Sequence, residues 1–168
     1  MKSLGKNQGD LHNVGESWEL SGYDDSISVV TNGYLADNRI DELIEVYMGE
    51  LVGDKVYEQY GLDFPLLFKF IDATDKLSIQ VHPNDDVALQ LHDAAGKNEM
   101  WVVLETDGDG RVIAGFKHDC SEAQLRDALA TGHVEDLLQH VSVKAGDVIE
   151  IPAGLVHGIC KGVMLARY

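Results

Sequence analysis

Short stretches rich in β-branched and aromatic residues, each bounded by Gly, Pro, Asp or Asn, recur along the chain and leave little room for a helical fold. They are ESWELS (16–21), SISVVT (26–31), LLFKFID (66–72), LSIQVH (77–82), EMWVVLE (99–105), RVIAGF (111–116), HVSVK (140–144), DVIEIP (147–152) and VMLARY (163–168). The pattern predicts a mainly β fold. Between the strands, Ile40, Leu43, Ile44 and Tyr47 repeat at helical spacing and stop before Gly49. Ser121 with Gln124 forms a capping-box pattern ahead of Leu125, Ala128 and Leu129, with Gly132 as a stop. The residues after Asn84 form a third short helix in this reading, giving two or three helices in the connections.

At 168 residues and 45% hydrophobic content the chain can bury one substantial core, so a single domain over 1–168 is expected. No internal repeat, low-complexity tract or linker divides it. No run approaches the roughly 20 apolar residues of a membrane span. The opening MKSLGKNQGD has no apolar leader core, which makes a cytoplasmic setting the expectation. Cys120 and Cys160 are far apart and form no CxxC, so both are read as reduced thiols. With 13 basic and 29 acidic side chains, the net charge of −16 repels a phosphate backbone and argues against nucleic-acid binding. A small anionic ligand then needs a local patch of opposite sign, for which Lys69 and Lys97 and a metal ion are the candidates.

In LSIQVHPND, Leu77, Ile79 and Val81 alternate with Ser78, Gln80 and His82, so Gln80 and His82 project side by side, roughly 6.6 Å apart. A lone strand histidine is ordinarily a surface or hydrogen-bonded residue. In KNEMWVVL, Lys97, Glu99 and Trp101 fall on alternate positions, although a glutamate there also reads as a solvated strand edge. In GDVIEIPAGLVHGI, Pro152 and Gly154 make a turn before an apolar strand carrying His157. Together, two histidines, a glutamate and a glutamine, each on or beside a strand of a sheet that must curve to bury its core, can converge on the mouth of a barrel. Imidazole and carboxylate suit zinc, and a neutral amide oxygen is a weaker ligand that keeps the net charge of such a centre near plus one. With open coordination positions the centre would be catalytic; closed, it would be structural.

Residues 146–157 fit every defined position of the second cupin motif: Gly, five residues, Pro, one residue, Gly, two residues, His. Lys161 stands afterwards where many cupins have Asn. More specifically, GESWELS, FPLLFKFIDATDKLSIQVHPND, GKNEMW and VKAGDVIEIPAGLVHGICKG together resemble class I mannose-6-phosphate isomerases. The resemblance implies a cupin jelly-roll barrel and one zinc ion per chain, held by Gln80, His82, Glu99 and His157. It also implies that Lys69, Ser78 and Lys97 lie near a phosphorylated sugar, Lys97 serving in phosphate binding or proton transfer. Without the resemblance, Ser78 reads as an ordinary strand residue and Lys69 as a snorkelling surface lysine.

The implied reaction interconverts mannose 6-phosphate and fructose 6-phosphate through an enediol, and needs an acid/base, an oxyanion stabiliser and a phosphate anchor. Family members are usually much longer and carry an active-site arginine after the zinc histidine. Arg167 matches none of their motifs and is not assigned that role. A shortened barrel has open edges, which favour a homo-oligomer. Two functional classes therefore follow: a zinc-dependent isomerase, or a metal- and sugar-phosphate-binding module with little turnover.

Overall fold

The computed structural model describes residues 4–6, 9, 10 and 14–168; residues 1–3, 7, 8 and 11–13, part of the stretch read for a leader, lie outside the described residues. In chain order the elements are β1 (Glu16–Ser21), α1 (Ile40–Tyr47), α2 (Gly49–Val52), α3 (Asp54–Tyr60), β2 (Leu67–Ala73), α4 (Asp85–His92), β3 (Glu99–Thr106) and β4 (Arg111–Phe116). They are followed by α5 (Glu122–Thr131), β5 (Leu138–Ser142), β6 (Val148–Ile151), β7 (His157–Ile159) and β8 (Val163–Arg167). The chain packs as two compact units, one of Met1–Gly15 with Ile71–Arg167, the other of Glu16–Phe70 with Tyr168.

In the first unit β3 runs antiparallel between β6 and β8, with Trp101 opposite Ile149 on one side and Arg167 on the other. A second antiparallel sheet has the order β5-β4-β7, with Val112 opposite Val141 and Ile159. Alternation along β3 turns Glu99, Trp101 and Val103 inward. Trp101 and Val103 join Val112, Ile151, Ile159, Val163 and Leu165 in one buried cluster that draws on both sheets. Burying each such Val, Leu or Ile contributes about 1.5–3 kcal/mol, so this cluster is the main support of the unit. The capping box opening α5 forms as read: the Ser121 backbone N–H donates to Gln124 Oε1 at 2.9 Å, and the Gln124 N–H donates to Ser121 Oγ at 3.3 Å. Asn84 caps α4 by accepting the Val87 N–H at 3.0 Å.

In the second unit β1 lies beside β2, of which residues 67–70 belong to this unit, and α1 buries Leu43 and Ile44. Across both units, five short α-helices stand among the described residues in place of the two or three expected. The additional ones, α2 and α3, bury no residue, so they carry no apolar stripe for a sequence reading to detect.

Two of the expected strands are not regular strands. Residues 26–31 make a single bridge, Val29 with Arg39. The ladder stops because Asp37 turns the chain at φ 70° and α1 begins at Ile40. Residues 77–82 are tied to β7 by one bridge, Gln80 with His157. Their ladder is short because β7 has three residues and Pro83, which lacks an N–H, follows. Nor do their apolar side chains form a buried face, since Leu77 and Val81 are exposed. Among the described residues no helix is long and apolar enough to cross a membrane.

Candidate metal centre

Three segments distant in sequence are locked together by backbone contacts. Gln80 and His157 exchange N–H···O bonds of 2.9 Å in each direction, and residues opposite each other in such a pair project to the same face. The Gly154 N–H donates to the His82 carbonyl at 2.8 Å, with Gly154 at φ 86°, a conformation that favours glycine. The Lys97 N–H donates to the Pro83 carbonyl at 3.0 Å, and the Ala153 N–H to Asn98 Oδ1 at 2.9 Å. Gly96 is required for this approach, because a Cβ there would stand 2.4 Å from the Asp85 nitrogen. Thus QVHP, GKNE and PAGLVH form one site although up to 77 positions of chain separate Gln80 from His157.

At its centre, ligand atoms of His82, Glu99 and His157 all lie within 4.8 Å of one another. His157 is buried, and its Nδ1 sits 2.8 Å from the Leu155 carbonyl, a contact that requires the proton on Nδ1. In the neutral ring Nε2 then carries the lone pair. That atom is buried without a hydrogen-bond partner, 4.0 Å from Glu99 Oε2. A buried orphan nitrogen is costly unless something fills it, and a cation held among two imidazoles and a carboxylate would do so. The Trp101 ring packs edge-on against His157 and fixes its plane. Gln80 is exposed, and its Nε2 donates to Ser78 Oγ at 2.8 Å, which leaves the carboxamide oxygen available as an acceptor.

Glu99 is the electrostatic hub. Oε1 meets Lys97 Nζ at 2.8 Å and His82 Nε2 at 3.0 Å; Oε2 accepts the Trp101 indole N–H at 2.9 Å and faces Arg167 Nη1 at 3.5 Å. Burial alone would raise its carboxyl, but the Lys97 hydrogen bond, the Arg167 charge and the Trp101 N–H outweigh it and hold the group down to about 2. For His82, burial and the Lys97 charge push the imidazole down against the pull of Glu99, favouring the neutral, ligand-competent form. The glutamate at the start of β3 is therefore an inward-facing anion rather than a solvated edge. The donor set suits zinc, with His82, Glu99 and His157 in place and Gln80 adjoining.

Lys97 precedes β3 yet reaches Glu99. Lys69 belongs to the other unit, where it is buried, paired with Glu16 at 3.0 Å and seated 5.1 Å from the Trp18 ring centroid. Sequence reasoning missed Arg167 and the Trp101 indole as partners of Glu99. The available signal was alternation: Val163, Leu165 and Arg167 share one face of β8, and the first two are core. Cys120 and Cys160 are free thiols, and burial pushes Cys160 up, away from reactive thiolate character. A separate cavity of about 340 Å³, lined by Asp72, Glu105, Asp107 and Lys161 among others, shares no residue with the centre.

The family described as phosphomannose isomerase type I, catalytic domain, matches residues 6–130. The mannose-6-phosphate isomerase of Streptococcus mutans is 38% identical over 152 residues, covering 90% of this chain and 46% of that protein. ManA of Bacillus subtilis is 36% identical over 156 residues with the same coverage, so the chain spans about half the length of the curated relatives it matches. The crystal structure of a mannose 6-phosphate isomerase from B. subtilis superposes with a TM-score of 0.80 at 31% identity, over 91% of this chain and 47% of that one. The Salmonella typhimurium enzyme bound to fructose 6-phosphate and zinc gives 0.66 at 18% identity over 92% and 59%, a likeness of fold alone. With a match over most of its length, this chain belongs to the type I phosphomannose isomerase family.

Proposed function

We propose that this chain carries the zinc centre of a cytoplasmic aldose–ketose isomerase of the cupin type that interconverts mannose 6-phosphate and fructose 6-phosphate. The observation that carries the reading is the buried, unpartnered His157 Nε2 converging with His82 and Glu99. His82, Glu99, His157 and Gln80 would hold one zinc ion, all within a single metal-binding domain. When bound, zinc supplies Lewis-acid stabilisation of negative charge developing on the sugar. Lys97, whose ammonium lies against Glu99, holds the anionic substrate or moves the proton between C2 and C1. Lys97 and Arg167 give the centre a positive field that the net charge of −16 otherwise denies. Lys69 and Ser78 stand in the proposal on family likeness; Lys69 already faces Glu16, which a phosphate would have to displace.

A coupled isomerase assay tests this, run with and without chelator. Turnover should require zinc, vanish in His82→Ala and His157→Ala, and fall roughly 100-fold or more in Lys97→Met. Turnover unaffected by chelator defeats the zinc reading. Because the chain spans 46% of its S. mutans relative, a second reading is kept: a module that binds metal and sugar phosphate with little turnover. Zinc-dependent binding of fructose 6-phosphate without isomerisation selects it.

A further inference from the structure

Arg167 is the penultimate residue of the chain, opposite Trp101 in the β3–β8 register, with a side chain 12% exposed. Its Nη1 lies 3.5 Å from Glu99 Oε2, and its Nε is buried without a hydrogen-bond partner. A carboxylate offers about four lone-pair sites. On Glu99 these face Lys97, His82, Trp101 and Arg167. An incoming divalent ion must therefore share a carboxylate whose Oε1 already meets Lys97 and whose Oε2 faces Arg167, and must then sit near both positive charges.

The two cations differ in how readily they can give way. Lys97 is 35% exposed and can swing its ammonium toward water; Arg167 is enclosed and keeps its charge near the carboxylate. The Trp101 N–H, a neutral donor, orients Glu99 without repelling a metal. Orientation and repulsion thus come from different residues, and the second can be removed without the first.

Building on the proposed zinc site, we propose that Arg167 is an internal competitor for the metal, a positioning residue that lowers the affinity of the centre for a divalent cation. Its guanidinium, 3.5 Å from Glu99 Oε2, opposes a divalent ion at that carboxylate. A neutral side chain at 167 then gives tighter binding, and a lysine, which keeps the charge, does not. Loss of a merely structural residue would weaken binding instead.

The test is a competition titration of zinc against a chromophoric chelator at neutral pH, using the full chain and its Arg167→Gln, Arg167→Lys and His157→Ala variants. Arg167→Gln should bind roughly 10-fold more tightly than wild type, with Arg167→Lys close to wild type. Arg167→Met, which continues the apolar face of Leu165, repeats the measurement should the glutamine variant not fold. Unchanged or weaker binding by the neutral variants overturns the inference while leaving the zinc site intact. Equal zinc binding by wild type and His157→Ala, or none by any variant, overturns the zinc reading and this inference with it.

Discussion

Glu99 and Lys97 meet at 2.8 Å with the carboxylate fully buried and the amine 35% exposed, whereas Glu16 and Lys69 meet at 3.0 Å with the amine 7% exposed and the carboxylate 40% exposed. The two pairs have similar lengths and opposite polarity. In each, the buried partner is the charge fixed in place, and the exposed partner is the one water can replace. At Glu99 the fixed charge is negative, which suits a cation; at Lys69 it is positive. Glu99 also has Arg167 and the Trp101 indole besides Lys97. Its position depends on no single donor.

The largest effect should come from Glu99→Gln. It leaves the enclosed Arg167 guanidinium without its counter-charge and removes the anionic group of the proposed metal site, so zinc binding should disappear and stability should fall by about 3 kcal/mol in urea denaturation. An equally stable variant would show that the network carries no net stabilisation.

Acid titration of the metal-free protein isolates the same carboxylate. Its folded-state value, about 2, lies below the ordinary 4.5, so its contribution is fully present above pH 4.5 and is lost as pH falls toward 2. That contribution is on the order of 3 kcal/mol, and Glu99→Gln should flatten the pH dependence across this window. Parallel profiles for the two proteins would contradict the assignment.

A smaller effect is expected at the second pair. Glu16→Gln removes a charge facing the buried Lys69 amine and should cost about 1–2 kcal/mol, while Lys69→Met, opposite a Glu16 carboxylate that is partly solvated and also accepts the Trp18 indole N–H, should cost less than about 1 kcal/mol. The reverse order would undo the rule that the buried partner is the fixed one. Smallest of all should be the stability change in Lys97→Met, under about 1 kcal/mol, because the amine is partly solvated and Glu99 keeps its other donors.

These effects divide between residues visible in the sequence and residues that only folding brings together. β1 and β4 are found at 16–21 and 111–116 as read, since alternation there is bounded by turn residues. The segments 26–31 and 77–82 have strand composition but make single bridges, because pairing depends on a partner whose length the local sequence does not state. His82, Glu99 and His157 could be named because each lies in a motif, and the motifs carry their spacing with them. Arg167 could not, for its meaning comes from lying across the ladder from Trp101. The unpartnered Nε2 of His157 likewise follows from the fold, which sets Nδ1 against the Leu155 carbonyl. The resemblance implies a place near the sugar phosphate for Lys69, and the surface lysine it reads as without that likeness is ruled out by its burial.

That His82, Glu99 and His157 hold zinc is tested most directly by X-ray absorption at the zinc edge, on the chain loaded with equimolar zinc. The account predicts nitrogen and oxygen neighbours at about 2.0–2.1 Å with the scattering of two imidazoles, one of which is lost in His157→Ala. A sulfur shell at about 2.3 Å, or a spectrum unchanged by His157→Ala, would contradict it.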